Sequence, residues 1–450
     1  MEGKMQSSAY QHNENRRQYQ RKPYVKSVTY CLSGNNFSGQ KAFDRNGSVI
    51  DISEAGLCIQ TVKPLSEGNV VYFDDAIKYA AGIVIWCEEL NALYRAGIEI
   101  RKDVPDAKYG YEKAGEKALL VGEKQEEYAA VLDAATEKFN KEMADIEERL
   151  SVHHESPEAI QMTIGRAIDE MIRDCENFEG KVTDKEVIRK ARIRFRQKTD
   201  QVFSKSYFIN RARIWPQGSQ GDYKTLEILY KNTPLSGGMG YYLDRFMLDV
   251  PVADAVRDRI KKLELMLKAE LVKRKQPAVL NIACGACREL VGIVPEIIDS
   301  GAQVVCVDSD NDALEYAQRR LADAGLHENI EFYKYNALRL FDYETSVEEF
   351  GKQDIIYSVG LFDYLPSDFL VKMFRTLYGM LNPGGRFIPA FKDAQRYRPQ
   401  YYHWFVDWDG FLQRKEEDFK KILDDAGIPS SAITEVRDKT GIIVFYPITK

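Results

Sequence analysis

At 450 residues and a net charge of -6, the chain is too long for one core, since domains run to roughly 100–200 residues. Its charges are mixed in sign along most of its length, which argues against the broad basic face that a nucleic-acid polymer needs. Seven cysteines, no signal-peptide pattern and no apolar run near the ~20 residues of a membrane span point away from a disulfide scaffold or a spanning protein, and toward a reduced, soluble, cytoplasmic one.

Residues 1–22 read as a polar arm that ends in Arg17-x-x-x-Arg21, with Arg16 and Lys22 alongside. From 23 to 103, strands are predicted at Tyr24–Tyr30, Ala42–Asp51, Gly56–Val62, Val70–Phe73, Ile77–Trp86 and Tyr94–Ile100. Turn signals fall at 33–36, Asn46-Gly47 and Glu67-Gly68, and the pattern suits a small antiparallel β-barrel. The Arg17/Arg21 pair is followed by Asp51-Ile-Ser-Glu-Ala-Gly56, then by Gly82-Ile-Val-Ile-Trp86 and Tyr94-Arg-Ala-Gly-Ile98. This order resembles a PilZ domain, the bacterial receptor module for cyclic di-GMP. The resemblance implies that Arg16, Arg17 and Arg21 hold the ligand, because guanidinium forks suit both phosphate and the edge of guanine. Asp51 and Ser53 would add polar contacts, and Gly56 would let the turn close.

From 104 to 215 the chain is predicted to be helical. One long amphipathic helix covers Glu112–Leu150, with apolar positions at Tyr128, Val131, Leu132, Ala135, Phe139, Met143, Ile146 and Leu150. A second covers Pro157–Phe178 and is closed by Gly180; a third runs from a cap at Asp184 to Tyr207. Heptads are not sustained enough for a coiled coil. The region reads either as a spacer packed on its neighbours or as a transmission element and homodimer stalk. His153-His154 at the helix junction has no second ligand pair and reads as a capping or exposed pair.

The rest of the chain is organised around Pro277–Asp310, where an apolar run, a small-residue turn and a second apolar run lead to Asp308. In a parallel sheet this layout sets a turn backbone against a ligand and a carboxylate at the next strand tip, which suits a nucleotide-like cofactor. Strands are predicted at Val279–Ala283, Val304–Asp308, Ile330–Tyr335, Asp354–Val359 and Gly385–Ala390, with a closing pair at Thr434–Arg437 and Ile442–Pro447. Helices are predicted at Arg288–Ser300, Asp312–Ala324, around Ser346, at Asp368–Met380 and at Lys415–Ala426. Residues 277–450 resemble the class I S-adenosylmethionine-dependent methyltransferases, a Rossmann-like α/β fold with a mixed seven-stranded sheet whose last two strands form a reversed hairpin. The whole is thus read as multidomain: barrel, helical middle, a helical cap over 216–276, and this catalytic domain.

The resemblance implies a cofactor loop at Asn281–Cys287, with Ala283 and Gly285 giving backbone access. It also implies ribose binding by Asp308 beside Ser309, an adenine edge at Asn336 and Ala337, and a wall from Ser358 to Gly360. Leu381-Asn-Pro-Gly-Gly385 would be the turn before the fifth strand. Where the family has a leading acid and further glycines, this chain has Asn281, Ala283 and Cys287. Cys284-x-x-Cys287 reads as buried small residues, so no metal is assigned.

Glycine-rich segments around 216–223 and 232–242, together with Arg288-Glu289, Gly360–Leu365 and Asp407-Trp408, resemble one branch, the extracellular-factor family that makes 3-hydroxypalmitic acid methyl ester. That resemblance implies a small or lipid-like acceptor. A carboxylate acceptor is ionised at neutral pH and needs no general base, in keeping with the lack of an evident His/Asp pair. Tyr241, Tyr242, Tyr364 and His403 are the candidates to orient it, supported by Asp222 and Asp363. The aromatic cluster Tyr397–Phe411 reads equally as the wall for an apolar chain or as core packing. The leading reading is a cyclic di-GMP-responsive methyltransferase. The alternatives are a cyclic di-GMP signalling adaptor on a degenerate methyltransferase-fold platform, and an enzyme that transfers another group.

Overall fold

The computed structural model describes residues 22–32, 45–53, 55–73, 81–90, 93–100, 117–152, 155–216, 220–408 and 410–450. The chain divides into two compact units, Met1–Gly110 and Tyr111–Lys450. No helix among the described residues is long and apolar enough to cross a membrane.

The first unit is a curled antiparallel sheet of β1 (Lys22–Leu32), β2 (Arg45–Ile52), β3 (Gly56–Thr61), β4 (Val70–Phe73), β5 (Ala81–Leu90) and β6 (Leu93–Ile100). The order is β1-β2-β3-β6-β5-β4, and β1 pairs with β4 as well as β2, which closes the sheet. Closure leaves the branched residues Val28, Val49, Leu57, Ile59, Val84 and Ile98 to fill the interior. Gly97 faces Trp86 across β5 and β6, and a Cβ there would fall 2.1 Å from the indole nitrogen, so only glycine fits beneath the ring. Asn46-Gly47 is not a turn. It lies inside β2, with Gly47 opposite Val28 and Thr61, because both flanking strands continue through it. Glu67-Gly68 does turn, with Gly68 at φ +81°.

The second unit begins with α1 (Lys117–Val152), α2 (Pro157–Lys181), α3 (Lys185–Lys198), α4 (Asp200–Phe203) and α5 (Tyr207–Ile214). Ser156 caps α2 through Ala159 N, with Pro157 at its first turn. On α1, Leu132, Phe139, Met143 and Ile146 are buried, but Val131 is 62% exposed. Gly180 lies within α2 rather than ending it. The single third helix expected from Asp184 to Tyr207 is instead broken at Thr199 and again before Ser206. Thr199 Oγ1 back-bonds to Phe195 O, and Ser206 recaps the chain through Ile209 N. His153-His154 lies outside the described residues.

Next come α6 (Tyr223–Lys231), α7 (Met239–Asp249) and α8 (Pro251–Leu271). The sheet comprises β7 (Ala278–Ile282), β8 (Gln303–Asp308), β9 (Ile330–Lys334), β10 (Gln353–Ser358), β11 (Leu381–Lys392), β12 (Val436–Arg437), β13 (Ile443–Phe445) and β14 (Ile448–Thr449). Between these strands lie α9 (Arg288–Val291), α10 (Val294–Ser300), α11 (Asn311–Asp323), α12 (Tyr343–Phe350), α13 (Ser367–Met380) and α14 (Glu416–Asp425). Five strands are parallel, in the order β11-β10-β7-β8-β9, and β13 runs antiparallel beside β11 with β12 at the edge. An eighth strand, β14, pairs antiparallel with β11 at Arg386 and Phe387, so the sheet exceeds the seven strands expected. Arg288–Ser300 is two helices, parted at Gly292. The Leu381–Gly385 segment lies within β11, where the ladder jumps from Gln353↔Leu381 to Ile355↔Arg386 and Gly384 takes φ +76°.

One core spans the helices and the sheet of this unit, from Leu132 on α1 to Phe445 on β13. The helical middle therefore shares its interior with the α/β part. Phe195 meets Trp404 and Phe405 edge-on at 5.6 Å each, and Phe178 meets Trp404 at 6.0 Å.

Candidate active site

The carboxyl ends of β7, β8 and β10 open on a cavity of about 230 Å³. It is lined by Ala283, Gly285, Asp308 and Ser309, by Val359 and Gly360, and by residues of α6, α8 and 401–411. This is the crevice where open α/β sheets bind ligands.

The turn after β7 closes on one bond of its own, Cys287 N to Cys284 O at 3.0 Å, and is otherwise held from outside. Cys284 N donates to Val307 O at 3.0 Å, and Gly285 N to an Asp308 carboxylate oxygen at 2.8 Å. The other Asp308 oxygen accepts from Asp310 N at 3.0 Å. Burial raises the Asp308 carboxyl above its ordinary range against these bonds. Gly285 sits at φ +53° with open space beyond its Cα. Ala283 and Cys287, which stand where glycines were expected, also take left-handed backbones, at φ +53° and +47°. Such a conformation costs a side-chain-bearing residue roughly 1–2 kcal/mol. The glycine-type turn is thus kept without the glycines.

The other predicted cofactor contacts divide. Ser309 and Gly360 line the cavity with Ala283, Gly285 and Asp308. Asn281 turns away, its amide donating to Glu289 Oε1 at 2.9 Å. Tyr357 OH donates to the same oxygen at 2.9 Å, and burial pushes the Glu289 carboxyl up to about 7. Ser358 is fully buried and does not line the cavity. Asn336 caps the next turn through Leu338 N at 3.0 Å, and neither it nor Ala337 lines the cavity.

Of the four acceptor-orienting candidates, Tyr364 lines the cavity, with its hydroxyl donating to Gln220 O at 3.3 Å. Tyr241 is 43% exposed on α7, edge-on to Tyr242, which packs partly buried against the core, and neither lines the cavity. His403 is buried in the turn Tyr401–Phe405, where its carbonyl accepts from Arg196 at 2.6 Å, while Tyr401 and Tyr402 line the cavity. Asp222 caps α6 and pairs with Arg211 at 2.7 Å. Asp363 pairs with the buried Lys392 at 3.0 Å, and burial pushes that ammonium down to about 8.

Sequence reasoning missed Arg259. It sits on α8, 3% exposed, lines the cavity, and donates to Tyr230 OH at 3.1 Å. No carboxylate among the described residues forms an ion pair with it. A buried guanidinium facing an apolar cavity is poised for an anion. Its sequence context, Arg-Asp-Arg-Ile-Lys-Lys, reads as an exposed face, and only the switch to buried Ile260 and Leu263 nearby hints otherwise. Around it, Tyr402 stacks on Trp408 and Phe411 at 5.4 and 5.2 Å.

In the first unit, Asp51 lies in β2 opposite Cys58. Ser53 and Gly56 close a turn through Ser53 N to Gly56 O at 2.8 Å and Gly56 N to Ser53 Oγ at 3.2 Å. A Cβ on Gly56 would fall 2.5 Å from Ile98 O. Arg16, Arg17 and Arg21 lie outside the described residues.

Comparison with protein-family models matches residues 279–385 to a methyltransferase domain and residues 15–109 to a PilZ domain. Comparison with curated proteins finds no match. Among solved structures, a possible exported protein from Bordetella parapertussis is 19% identical, with 66% of this chain and 99% of that one covered, at TM-score 0.47. The magnesium protoporphyrin IX methyltransferase of Synechocystis is 18% identical, over 44% and 83%, at 0.33. A methyltransferase from Clostridium acetobutylicum is 15% identical, over 44% and 94%, at 0.31. The two domain matches support methyltransferase activity, with S-adenosylmethionine and cyclic di-GMP as ligands.

Proposed function

We propose that this chain, which joins a PilZ domain to a methyltransferase domain, methylates a carboxylate on a small or fatty-acid-like molecule under the control of cyclic di-GMP. The observation that supports the reading is one cavity lined at once by Ala283, Gly285 and Asp308, by the buried Arg259, which has no ion-pair partner among the described residues, and by the aromatic rings of Tyr364, Tyr402, Trp408 and Phe411. S-adenosylmethionine bound there would supply the methyl group. Asp308 has the place and charge to take ribose hydroxyls, and the open face of Gly285 leaves room for the cofactor backbone.

Methyl transfer is an in-line displacement, so the protein's work is alignment and exclusion of water. Arg259 holds the acceptor carboxylate as a bidentate partner. Tyr364 lies on the same wall and orients it, while Tyr402, Trp408 and Phe411 cover an apolar tail. No base is needed, because the acceptor arrives ionised. Arg16, Arg17 and Arg21, with Asp51, Ser53 and Gly56, form the cyclic di-GMP site, and the helices of 117–214 relay its occupancy. The extracellular-factor branch is the source of the fatty-acid class.

The test is transfer of labelled methyl from S-adenosylmethionine into a lipid and small-molecule extract, with and without cyclic di-GMP. Base-labile label that changes with cyclic di-GMP is the expected result. Arg259→Gln should lower kcat/KM about 10–100-fold, the worth of a charge-assisted contact, with cofactor affinity kept. An effect on cofactor affinity instead would assign Arg259 to the cofactor's own carboxylate. No label in either condition would favour the adaptor.

A further inference from the structure

Cys284, Cys287 and Cys306 converge beneath the cofactor turn. Their sulfurs all lie within 4.8 Å of one another, and Cys287 and Cys306 are 3.6 Å apart. The three residues are buried, and no other group of three such donors forms among the described residues. Two come from the turn after β7. The third comes from β8, whose register sets Cys306 against Asn281.

Three features separate this cluster from ordinary buried cysteines such as Cys175, which is packed among the apolar residues of α2. The Cys287–Cys306 separation of 3.6 Å is that of two thiolates on one metal, since metal–sulfur bonds of about 2.3 Å place tetrahedral ligands some 3.8 Å apart, and Cys284 lies within 4.8 Å of both. The Asn281 amide points at Cys287 Sγ from 3.9 Å, the kind of outer contact that steadies a thiolate ligand. A small cavity of about 60 Å³, lined by Asn281, Cys284, Cys287, Glu289 and Tyr357 and bordering the main cavity at Ala283, Gly285 and Arg259, adjoins the turn and offers a fourth position for a small ligand.

We propose that Cys284, Cys287 and Cys306 bind one soft d10 cation, of the Zn²⁺ or Cd²⁺ class, as three thiolates with a fourth position open to the small cavity. Each thiol gives up its proton to water as its metal–sulfur bond forms. The ion ties the turn after β7 to the strand that ends in Asp308, and so fixes the cofactor turn from below.

The full-length chain, purified with a chelator and a phosphine reductant, is titrated with Cd²⁺ and followed by the ultraviolet sulfur-to-metal charge-transfer band, with Zn²⁺ as competitor. The expected result is one Cd²⁺ per chain, displaced by Zn²⁺. Cys306→Ser should weaken binding more than about 100-fold, beyond what loss of an outer contact causes, and Cys284→Ser should do the same. A Cys58→Ser/Cys87→Ser variant, altered only in the barrel, should keep the band in full. Absence of the band in the wild-type chain overturns the site. So does a band that survives Cys306→Ser and Cys284→Ser, whose folding is checked by circular dichroism, or one lost in the barrel variant.

Discussion

Two turns close strand ends that the proposed function sets against ligands, and they differ in what holds them. The Ser53–Gly56 turn of the barrel is built locally. Its closing hydrogen bonds join Ser53 and Gly56, three apart, with one more from Ile100 N to Ala55 O, and glycine stands where the backbone of Ile98 leaves no room for a side chain. The Ala283–Cys287 turn has one such local bond, from Cys287 N to Cys284 O, and is otherwise held from a distance. Alanine and cysteine occupy left-handed positions and are held there by Val307, Asp308 and the sheet beneath. A turn of the first kind is specified by its residues, and one of the second kind by its surroundings. That is why the missing glycines do not abolish it, and why its stability should depend on groups twenty or so positions away.

Asp308→Ala tests this most severely. It removes both the proposed ribose contact and the anchor of Gly285, so S-adenosylmethionine affinity by calorimetry should fall at least 10–100-fold, the worth of about 1.5–3 kcal/mol. Unchanged affinity would mean that the turn stands without its outside support. Gly56→Ala comes next. The added methyl meets a backbone oxygen that cannot swing aside, so barrel unfolding should be easier by roughly 1–3 kcal/mol. An unchanged barrel transition would show that this turn, too, yields to its neighbours. The smallest effect runs the other way. Ala283→Gly should raise the melting temperature, through a net gain of roughly 0.5–1 kcal/mol, because relief of the left-handed backbone outweighs the extra freedom of the unfolded chain. Destabilisation here would put Ala283 in contacts that glycine cannot make.

The strands of both units were legible because their apolar runs are short, branched and bounded by turn residues; β3, β4 and β8 fall within a residue or two of their predicted limits. The break in the third helix was not, since Thr199 and Ser206 are common in helical surfaces and act as breakers only through bonds to Phe195 O and Ile209 N. Asp308 could be found from its place after an apolar run. Arg259 could not, because the feature that matters, burial without an ion-pair partner among the described residues, is a tertiary property absent from any local pattern. Cys306 stood in view two residues before Asp308. Only the parallel register of β7 and β8 brings it onto Cys284 and Cys287.

The seam between the helical layer and the segment 398–405 bears on how the chain is made. Arg398 pairs with Glu176, and Trp404 and Gln400 bond Glu179, across as many as 225 positions. At the ~5–20 residues per second of synthesis, the partners of α2 emerge about 10–45 s after it does. Through that interval Phe178 and Phe195 have no Trp404 to cover them. The helices are translated early and completed late, so the nascent chain carries an uncovered aromatic face until its C-terminal fifth arrives. This is the window in which a chaperone or a protease would meet it.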